Sequence, residues 1–205
     1  MTEPVADHPA GRAVCPRCER ALVSCLCGLL PRVPLVNDVE LLVLQHPNEA
    51  REAKGTAPLL RLGLASCEVR VGERFEPPMP RPGRQDWLLY PADSGTAPVS
   101  APTGSPSALR LIILDATWRK SRRMLAENAW LQALPRLALE TAAASQYAAL
   151  RRARRAGQLA TLEAALLALE QLETSEGLHT ERYAPLWQAF GRFVAAALAR
   201  RGESS

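Results

Sequence analysis

An apolar run at Leu109–Leu114 constrains the fold more than any other part of the sequence. Apart from Arg110 the run is apolar without alternation, which is typical of the centre of a parallel sheet, where both faces are covered. The run passes at once into Asp115-Ala-Thr-Trp118 and then into a helical pattern over 118–128, with Thr117 as the N-cap. Strands that alternate with helices indicate an α/β fold. The sequence therefore predicts a mostly parallel sheet flanked by helices.

The remaining elements follow from the same patterns and divide the chain into two parts. Further strands are predicted at 40–45, 67–71, 87–90 and 136–140, and further helices at 49–65, 145–155, 161–173 and 183–198. Residues 1–34 are predicted to form an N-terminal tail and a small cysteine knuckle. Residues 35–205 are predicted to form the α/β domain.

Four of the five cysteines lie within thirteen residues, as Cys15-Pro-Arg-Cys18 and Cys25-Leu-Cys27. Two thiol pairs this close can supply the four ligands of a tetrahedral Zn²⁺ site, and a closed site of this kind has a structural role. A redox pair, or no ligand role, stays open as an alternative. Cys67 stands apart and is predicted to be a small buried hydrophobic residue.

Three predicted strands end in polar or proline-marked turns, at Gln45-His46-Pro47, Tyr90-Pro91 and Asp115-Ala-Thr-Trp118. Ligands of open α/β sheets bind beyond the carboxyl ends of the strands, so these turns are the candidate site. Each residue also has a plainer explanation. His46 could have a purely structural role, and Asp115 could simply interact with the positive end of the dipole of the helix that follows it. Trp118 could be a core residue.

The charge pattern is compatible with a polyanionic partner. The formal net charge is +4, and two clusters rich in basic residues fall in helical segments, at 119–123 and 151–155. Arginine clusters can neutralise phosphates, although a solvated charged face is the alternative. Without a base-reading signature, recognition of a folded RNA by its shape and backbone is favoured.

The N-terminal residues lack the apolar segment of a secretory signal, and no stretch approaches the roughly 20 apolar residues of a membrane span. We therefore expect a soluble cytoplasmic protein that does not associate with membranes. The oligomeric state stays open, with a monomer favoured.

The chain resembles the DTW-domain family, which is named for the Asp-x-Thr-Trp motif that stands here at 115–118. The resemblance extends in order over about residues 15–165. Its other elements are the four clustered cysteines, Gln45-His46-Pro47-x-Glu49, Tyr90-Pro91, Ser145-x-Tyr147 with Arg151, and Leu159-Ala-Thr-Leu-Glu-Ala164. Ala160 departs from the serine of the family pattern, and the spacing between Tyr147 and Arg151 is one residue longer.

The resemblance implies a tRNA-uridine aminocarboxypropyltransferase. Such an enzyme transfers the 3-amino-3-carboxypropyl group of S-adenosylmethionine to N3 of a tRNA uridine and releases methylthioadenosine. The resemblance also implies a SPOUT-like fold with a C-terminal trefoil knot. An S-adenosylmethionine-dependent RNA methyltransferase on the same fold, a ribosomal RNA substrate and a non-catalytic RNA-binding protein are the alternatives.

On this basis the candidate residues receive roles. Asp115 is the catalytic candidate, as a base for N3 or as a ligand of the amino group of the transferred arm. Glu163 is expected to bind ribose hydroxyls, or else to cap its helix. The S-adenosylmethionine site is expected to comprise Leu44, His46, Pro47, Leu89, Tyr90, Pro91, Asp115, Thr117, Trp118, Leu159, Thr161, Glu163 and Ala164. RNA phosphates are assigned to Arg119, Arg122, Arg151 and Arg155, and zinc to Cys15, Cys18, Cys25 and Cys27.

Overall fold

A computed structural model describes residues 13–91, 102, 104–139, 159–173 and 181–202. Five strands are present in this part of the chain: β1 (Glu40–Gln45), β2 (Cys67–Val71), β3 (Gln85–Leu89), β4 (Leu109–Asp115) and β5 (Arg136–Leu137). The α-helices are α1 (Pro47–Ala50), α2 (Ala57–Gly63), α3 (Trp118–Glu127), α4 (Ala129–Gln132), α5 (Thr161–Glu173) and α6 (Ala184–Gly202).

The strands form one sheet in the order β2-β1-β4-β3-β5, and every neighbouring pair is parallel. β4 lies in the centre, as its apolar sequence predicts, and pairs with β1 on one side and β3 on the other. In the β1–β4 register Gln45 lies opposite Asp115. The carboxyl ends of these two strands therefore meet at one edge of the sheet.

Helices cover both faces of the sheet. Alternate residues of β1 and β4, such as Val43 and Ile113, face a large core that includes α2, α5 and α6. The intervening residues, such as Leu44 and Ile112, face a smaller core with Met124 of α3. Gly63 of α2 allows the close approach of α6, because a Cβ at this position would collide with Leu186. The architecture is a three-layer α/β fold.

The structure confirms most of the predicted elements. β1, β2 and α5 have the predicted bounds, and β4 is one residue longer than predicted. The single helix predicted at 49–65 is wrong, because the chain forms the separate helices α1 and α2. Gly55 and Pro58 fall at and just after the break, since glycine favours non-helical backbone and proline suits the first turn of a new helix.

Three expectations depend on residues outside the described part of the chain. The helix predicted at 145–155 lies there, as does the last residue of the strand predicted at 136–140. That strand is shorter than predicted, because the sheet contains Arg136 and Leu137 whereas Ala138 and Leu139 are described outside it. The C-terminal trefoil knot stays a prediction, since residues 140–158 and 174–180 are not described. None of the described helices combines the length and the apolar character that a membrane span requires.

The cysteine knuckle packs on the α/β layers. Cys15, Cys18, Leu26 and Leu30 are buried members of the same core as the sheet. The side chain of Arg20 lies over the Phe193 ring of α6, with its guanidinium carbon 5.8 Å from the ring centroid. The knuckle is therefore joined to the domain by apolar burial and by a cation–π contact.

Glu173, at the end of α5, connects three segments of the chain through hydrogen bonds. Its Oε1 accepts hydrogen bonds from the backbone N–H groups of Asp38 and Val39, both at 2.9 Å. Its Oε2 accepts from the hydroxyl of Tyr183 at 2.6 Å and from the guanidinium of Arg182 at 2.7 Å. This buried carboxylate links the entry to β1 with the start of α6.

Glu173→Gln is expected to lower the free energy of unfolding by about 2–4 kcal/mol, because an amide cannot accept all four hydrogen bonds and leaves the charge of Arg182 without its buried partner. Urea denaturation measures the change. Glu181→Gln, at an exposed position, is the control and should change stability by less than about 0.5 kcal/mol. A loss of less than about 1 kcal/mol for Glu173→Gln would contradict this role.

Candidate functional site

The carboxyl ends of β1 and β4 bring the polar strand-end residues into contact. The backbone N–H of His46 donates to the carbonyl of Asp115 at 3.0 Å, which extends the pairing of the two strands. The side chains of Gln45 and Asp115 lie on the sheet face that carries α5, because they continue the alternation of Val43 and Ile113. The predicted site at this edge therefore contains a buried polar pair.

Asp115 accepts a hydrogen bond at each carboxylate oxygen. Gln45 donates to Oδ2 from Nε2 at 2.6 Å, and Thr161 donates to Oδ1 from its hydroxyl at 2.5 Å. Asp115 is only 6% exposed. The carboxylate is therefore held in one orientation by two strands and by the first residue of α5.

The start of α5 is fixed by two further contacts. The carboxylate of Glu163 accepts a hydrogen bond from the backbone N–H of Ala160 at 2.7 Å. Glu163 is the third residue of α5 and Ala160 directly precedes the helix, so this contact is the side-chain half of a capping box. The hydroxyl of Thr56 accepts from the backbone N–H of Leu162 at 3.3 Å. The geometry favours the capping alternative for Glu163 over ribose binding.

An aromatic pair lies on the other face of the sheet, beside α3. The rings of Tyr90 and Trp118 meet edge-on, with centroids 5.9 Å apart and planes at 71°. Tyr90 is buried, its hydroxyl lies 3.4 Å from that of Ser121, and the guanidinium of Arg136 lies over its ring at 5.5 Å. Trp118 is 47% exposed, so the plain expectation of a core tryptophan is wrong.

His46 is held by hydrogen bonds at both ring nitrogens. Its Nδ1 accepts from the backbone N–H of Asn48 at 3.1 Å, so the proton of the neutral ring lies on Nε2. Nε2 in turn lies 2.9 Å from a carboxylate oxygen of Glu73. The Glu73 segment is fixed by Asn128, which hydrogen-bonds the backbone of Glu73 and Phe75. His46 thus caps α1, in agreement with its structural alternative.

A pocket of about 410 Å³ adjoins His46 on the α3 side of the sheet. Glu127 at its rim is paired with Arg123 at 2.7 Å, and this hydrogen bond lowers the pKa of Glu127. Three cations, Arg119, Lys120 and Arg123, face two carboxylates, Glu73 and Glu127, so the pocket is cationic with a formal net charge of +1 when His46 is neutral. Its lining comprises His46, Asn48, Glu73, Arg119, Lys120, Arg123, Met124 and Glu127.

The first turn of α3 presents polar groups that are free within the described structure. Thr117 is at the N-cap position, but its side chain makes no capping hydrogen bond, which corrects that expectation. Arg119 and Arg122 are exposed and have no ionic partner among the described residues. This turn directly follows Asp115, so its free hydroxyl and cations border the site.

The predicted apolar slot is not formed as a single surface. Leu44 is fully buried in the smaller core, whereas Leu89 packs against the larger core on the opposite face of the sheet. Leu159 and Ala164 are half-buried at the start of α5, and Pro47 is half-buried and Pro91 exposed at their strand ends. The structure therefore separates Leu44 from the side of the sheet to which Asp115 and α5 belong. Arg151 and Arg155 lie outside the described residues.

The four clustered cysteines have the geometry of a tetrahedral metal site. Their Sγ atoms all lie within 4.8 Å of one another, and the Cys15–Cys27 and Cys18–Cys25 pairs are separated by 3.7 and 3.8 Å. Zinc–sulfur bonds of about 2.3 Å place the sulfurs of a tetrahedron about 3.8 Å apart. These two separations match a tetrahedral thiolate site, so the cluster is compatible with a bound metal ion.

The backbone of the knuckle also favours metal binding. N–H groups of Cys18 and Arg17 lower the pKa of the Cys15 thiol to about 6, which favours the thiolate that metals bind. Burial and the neighbouring thiols instead raise the pKa of Cys27 to about 12. Glu19 adopts a left-handed conformation, with φ of 59°, and the chain turns back there so that Val14 pairs with Ala21. Cys67 lies apart, packed against the larger core, and burial raises its pKa to about 12.

Two residues of the site were missed by the assignment from sequence. Gln45 has no predicted role, although a polar residue at the end of an apolar strand is a local indication of a site. Thr56 gave no local indication, because its contact with Leu162 joins residues 106 positions apart.

Comparison with known proteins gives one family and several relatives. A family model described as the DTW domain matches residues 12–198. A tRNA-uridine aminocarboxypropyltransferase 2 of Drosophila melanogaster is 32% identical over 192 residues, which cover 88% of this chain and 75% of that protein. The enzyme of the same name from Macaca fascicularis is 31% identical over 184 residues, covering 85% of this chain and 61% of that protein. This chain is thus shorter than these relatives. No solved structure gives a match.

Proposed function

The chain belongs to the DTW-domain family, and on that premise we propose that it transfers the 3-amino-3-carboxypropyl group of S-adenosylmethionine to N3 of a uridine in tRNA. Relatives about 30% identical over most of the chain are named for aminocarboxypropyl transfer to tRNA uridine. Methylthioadenosine is the by-product of this reaction, and the proposed compartment is the cytoplasm.

The observation that carries the proposal is the arrangement of Asp115. The aspartate of the family motif is buried at the carboxyl ends of the two central strands and is oriented by Gln45 and Thr161. Parallel α/β sheets bind ligands at this position. The carboxylate is therefore placed where a cationic co-substrate and a nucleophile with a removable proton would both benefit from it.

The surroundings of Asp115 suit S-adenosylmethionine, which would supply the aminocarboxypropyl group on a cationic sulfur. Leu89 and Leu159 offer apolar surface on the α5 side, and Thr161 and Ala164 mark the helix start. The free Thr117 hydroxyl and the backbone N–H groups that begin α3 suit the carboxylate of the arm. Leu44 is left out of this proposal because it is fully buried on the opposite face.

The proposed reaction is a displacement at the methionine Cγ. The uridine N3 loses its proton and forms the new N–C bond, while the C–S bond breaks and its electron pair stays on sulfur. Asp115 receives the N3 proton; fixing the ammonium group of the arm is the other role open to this carboxylate. Gln45 and Thr161 hold the carboxylate of Asp115 in one orientation. A fixed orientation contributes to selectivity for Cγ, because the same co-substrate can also react at its methyl carbon.

We further propose that Cys15, Cys18, Cys25 and Cys27 hold a structural Zn²⁺ ion. The support is the separation of the sulfurs, which matches a tetrahedral thiolate site. All four positions would be filled by protein, so the ion would stabilise the knuckle and take no part in the transfer.

The test of the reaction is a product analysis. The purified protein is incubated with unmodified tRNA and S-adenosylmethionine, the RNA is digested, and the nucleosides and the small by-product are identified by mass spectrometry. A uridine that carries the aminocarboxypropyl group, together with methylthioadenosine, is expected. A methylated nucleoside with S-adenosylhomocysteine would replace the proposal with a methyltransferase, and product on ribosomal RNA alone would overturn the tRNA substrate.

Arg122→Gln is expected to weaken tRNA binding and to reduce the slope of log K against log salt concentration by about one, because one phosphate contact is lost. Fluorescence anisotropy at several salt concentrations measures both quantities. The control is Arg70→Gln, since Arg70 is paired with Glu68 on the edge strand β2. An unchanged slope in Arg122→Gln would remove Arg122 from the RNA surface.

A further inference from the structure

Trp118 differs from the other tryptophans of the described structure. Trp87 is buried, while Trp130 and Trp187 are half-buried and donate their indole N–H groups to Phe75 and Glu170. Trp118 is 47% exposed, and its indole N–H has no partner among the described residues. An exposed indole with a free N–H beside a candidate site suits a contact with a ligand.

The indole is held in place although it is exposed. Its edge-on contact with Tyr90 orients the ring, and Tyr90 is itself fixed between Ser121 and Arg136. Planes at 71° to each other do not stack, so this contact leaves the indole without a parallel partner in the described structure. A flat ligand can therefore stack on Trp118 without displacing a protein group.

The charges around Trp118 favour a nucleic acid as that ligand. Arg122 is one helical turn further along α3 and so lies on the same face as Trp118, and Arg119 is its neighbour in sequence. Both cations lack an ionic partner among the described residues, and the cationic pocket that contains Lys120 adjoins them. A planar apolar surface flanked by free cations complements a base flanked by phosphates.

The position of Trp118 relative to the sheet argues against an adenosine contact. The side chains of Gln45, Asp115 and Thr161 meet on the α5 face, whereas Tyr90, the partner of Trp118, packs into the core on the α3 face. The side chain of Asp115 and the exposed indole therefore lie on opposite sides of the β4 end. Two substrates that approach from different sides can meet at this edge.

We infer that Trp118 is a base-stacking residue for the RNA: its indole stacks on an unpaired base beside the target uridine, and Arg119 and Arg122 contact the flanking phosphates. Stacking on an aromatic side chain accepts any base, so Trp118 strengthens binding and positions the strand without reading its sequence. The inference rests on the proposed function for the identity of the polyanion as RNA.

The test compares Trp118→Ala with Trp118→Phe in two binding assays without catalysis. Binding of an unmodified tRNA transcript is measured by fluorescence anisotropy at one salt concentration, and binding of S-adenosylmethionine by equilibrium dialysis. Trp118→Ala should raise the Kd for tRNA by about 5- to 150-fold, whereas Trp118→Phe should stay within about threefold of the original protein. Both variants should bind S-adenosylmethionine as the original protein does. Met79→Ala, at an exposed apolar position outside α3, should change neither value.

Two outcomes overturn the inference. Unchanged tRNA binding by Trp118→Ala shows that no base stacks there, and loss of S-adenosylmethionine binding with tRNA binding retained assigns the indole to the co-substrate. Thermal melting verifies that each variant is folded, and Trp118→Phe keeps the comparison valid because it preserves the contact with Tyr90. Since neither assay involves transfer, a protein that binds tRNA through Trp118 but forms no product would refute the proposed function and still support base stacking on Trp118.

Discussion

Asp115→Asn lowers the rate of aminocarboxypropyl transfer by about 100-fold or more and leaves the protein folded, which is the expected result if the carboxylate charge takes part in the reaction. Asparagine has the same shape and can keep both neighbours, because the Gln45 amide can turn to offer its oxygen and the Thr161 hydroxyl can accept as well as donate. The cost in the free energy of unfolding should therefore stay near 1 kcal/mol.

Initial rates with saturating tRNA, together with a thermal melt, measure both parts of this expectation. Asp38→Asn is the matched control, since Asp38 is an exposed aspartate whose ion pair with Arg182 lies on the surface. The control should keep the rate of the original protein. A rate close to that of the original protein for Asp115→Asn would show that the charge is dispensable and that Asp115 only joins β4 to its neighbours.

Removal of the metal is expected to lower the melting temperature by about 10 °C or more, because the thiols that would bind it are part of the main core. Cys15 and Cys18 are buried beside Leu26 and Leu30, so loss of the knuckle also exposes apolar surface of the domain. The folded protein should release about one zinc ion per chain to a chromophoric chelator.

Cys18→Ser should reproduce the loss of metal and of stability, since Cys18 is 2% exposed and its sulfur faces that of Cys25. Cys67→Ser is the control: its thiol lies outside the cluster, and the substitution should cost about 1 kcal/mol without loss of zinc. A metal-free protein with an unchanged melting temperature would show that the four thiols are a packing feature and not a structural site.

The sequence by itself determined the elements whose patterns are local. The apolar runs gave β1 and β4, the leucine spacing gave α5, and the cysteine spacing gave the four thiols that the structure brings together. These features follow from periodicity and chain geometry within a few residues, so they need no knowledge of the rest of the fold. The helix predicted at 49–65 failed at the break between α1 and α2, where Gly55 lies, and at its last two residues.

Only the tertiary structure decided how the site is assembled. The partners of Asp115, Gln45 and Thr161, are 70 and 46 residues away, and they reach it because parallel pairing places the ends of β1 and β4 side by side with the start of α5 beyond them. The same sheet separates Leu44 from Leu89 and leaves Trp118 exposed. Which face of a sheet a side chain occupies, and what lies beside it, depends on strand order and register, and neither is written in the local sequence.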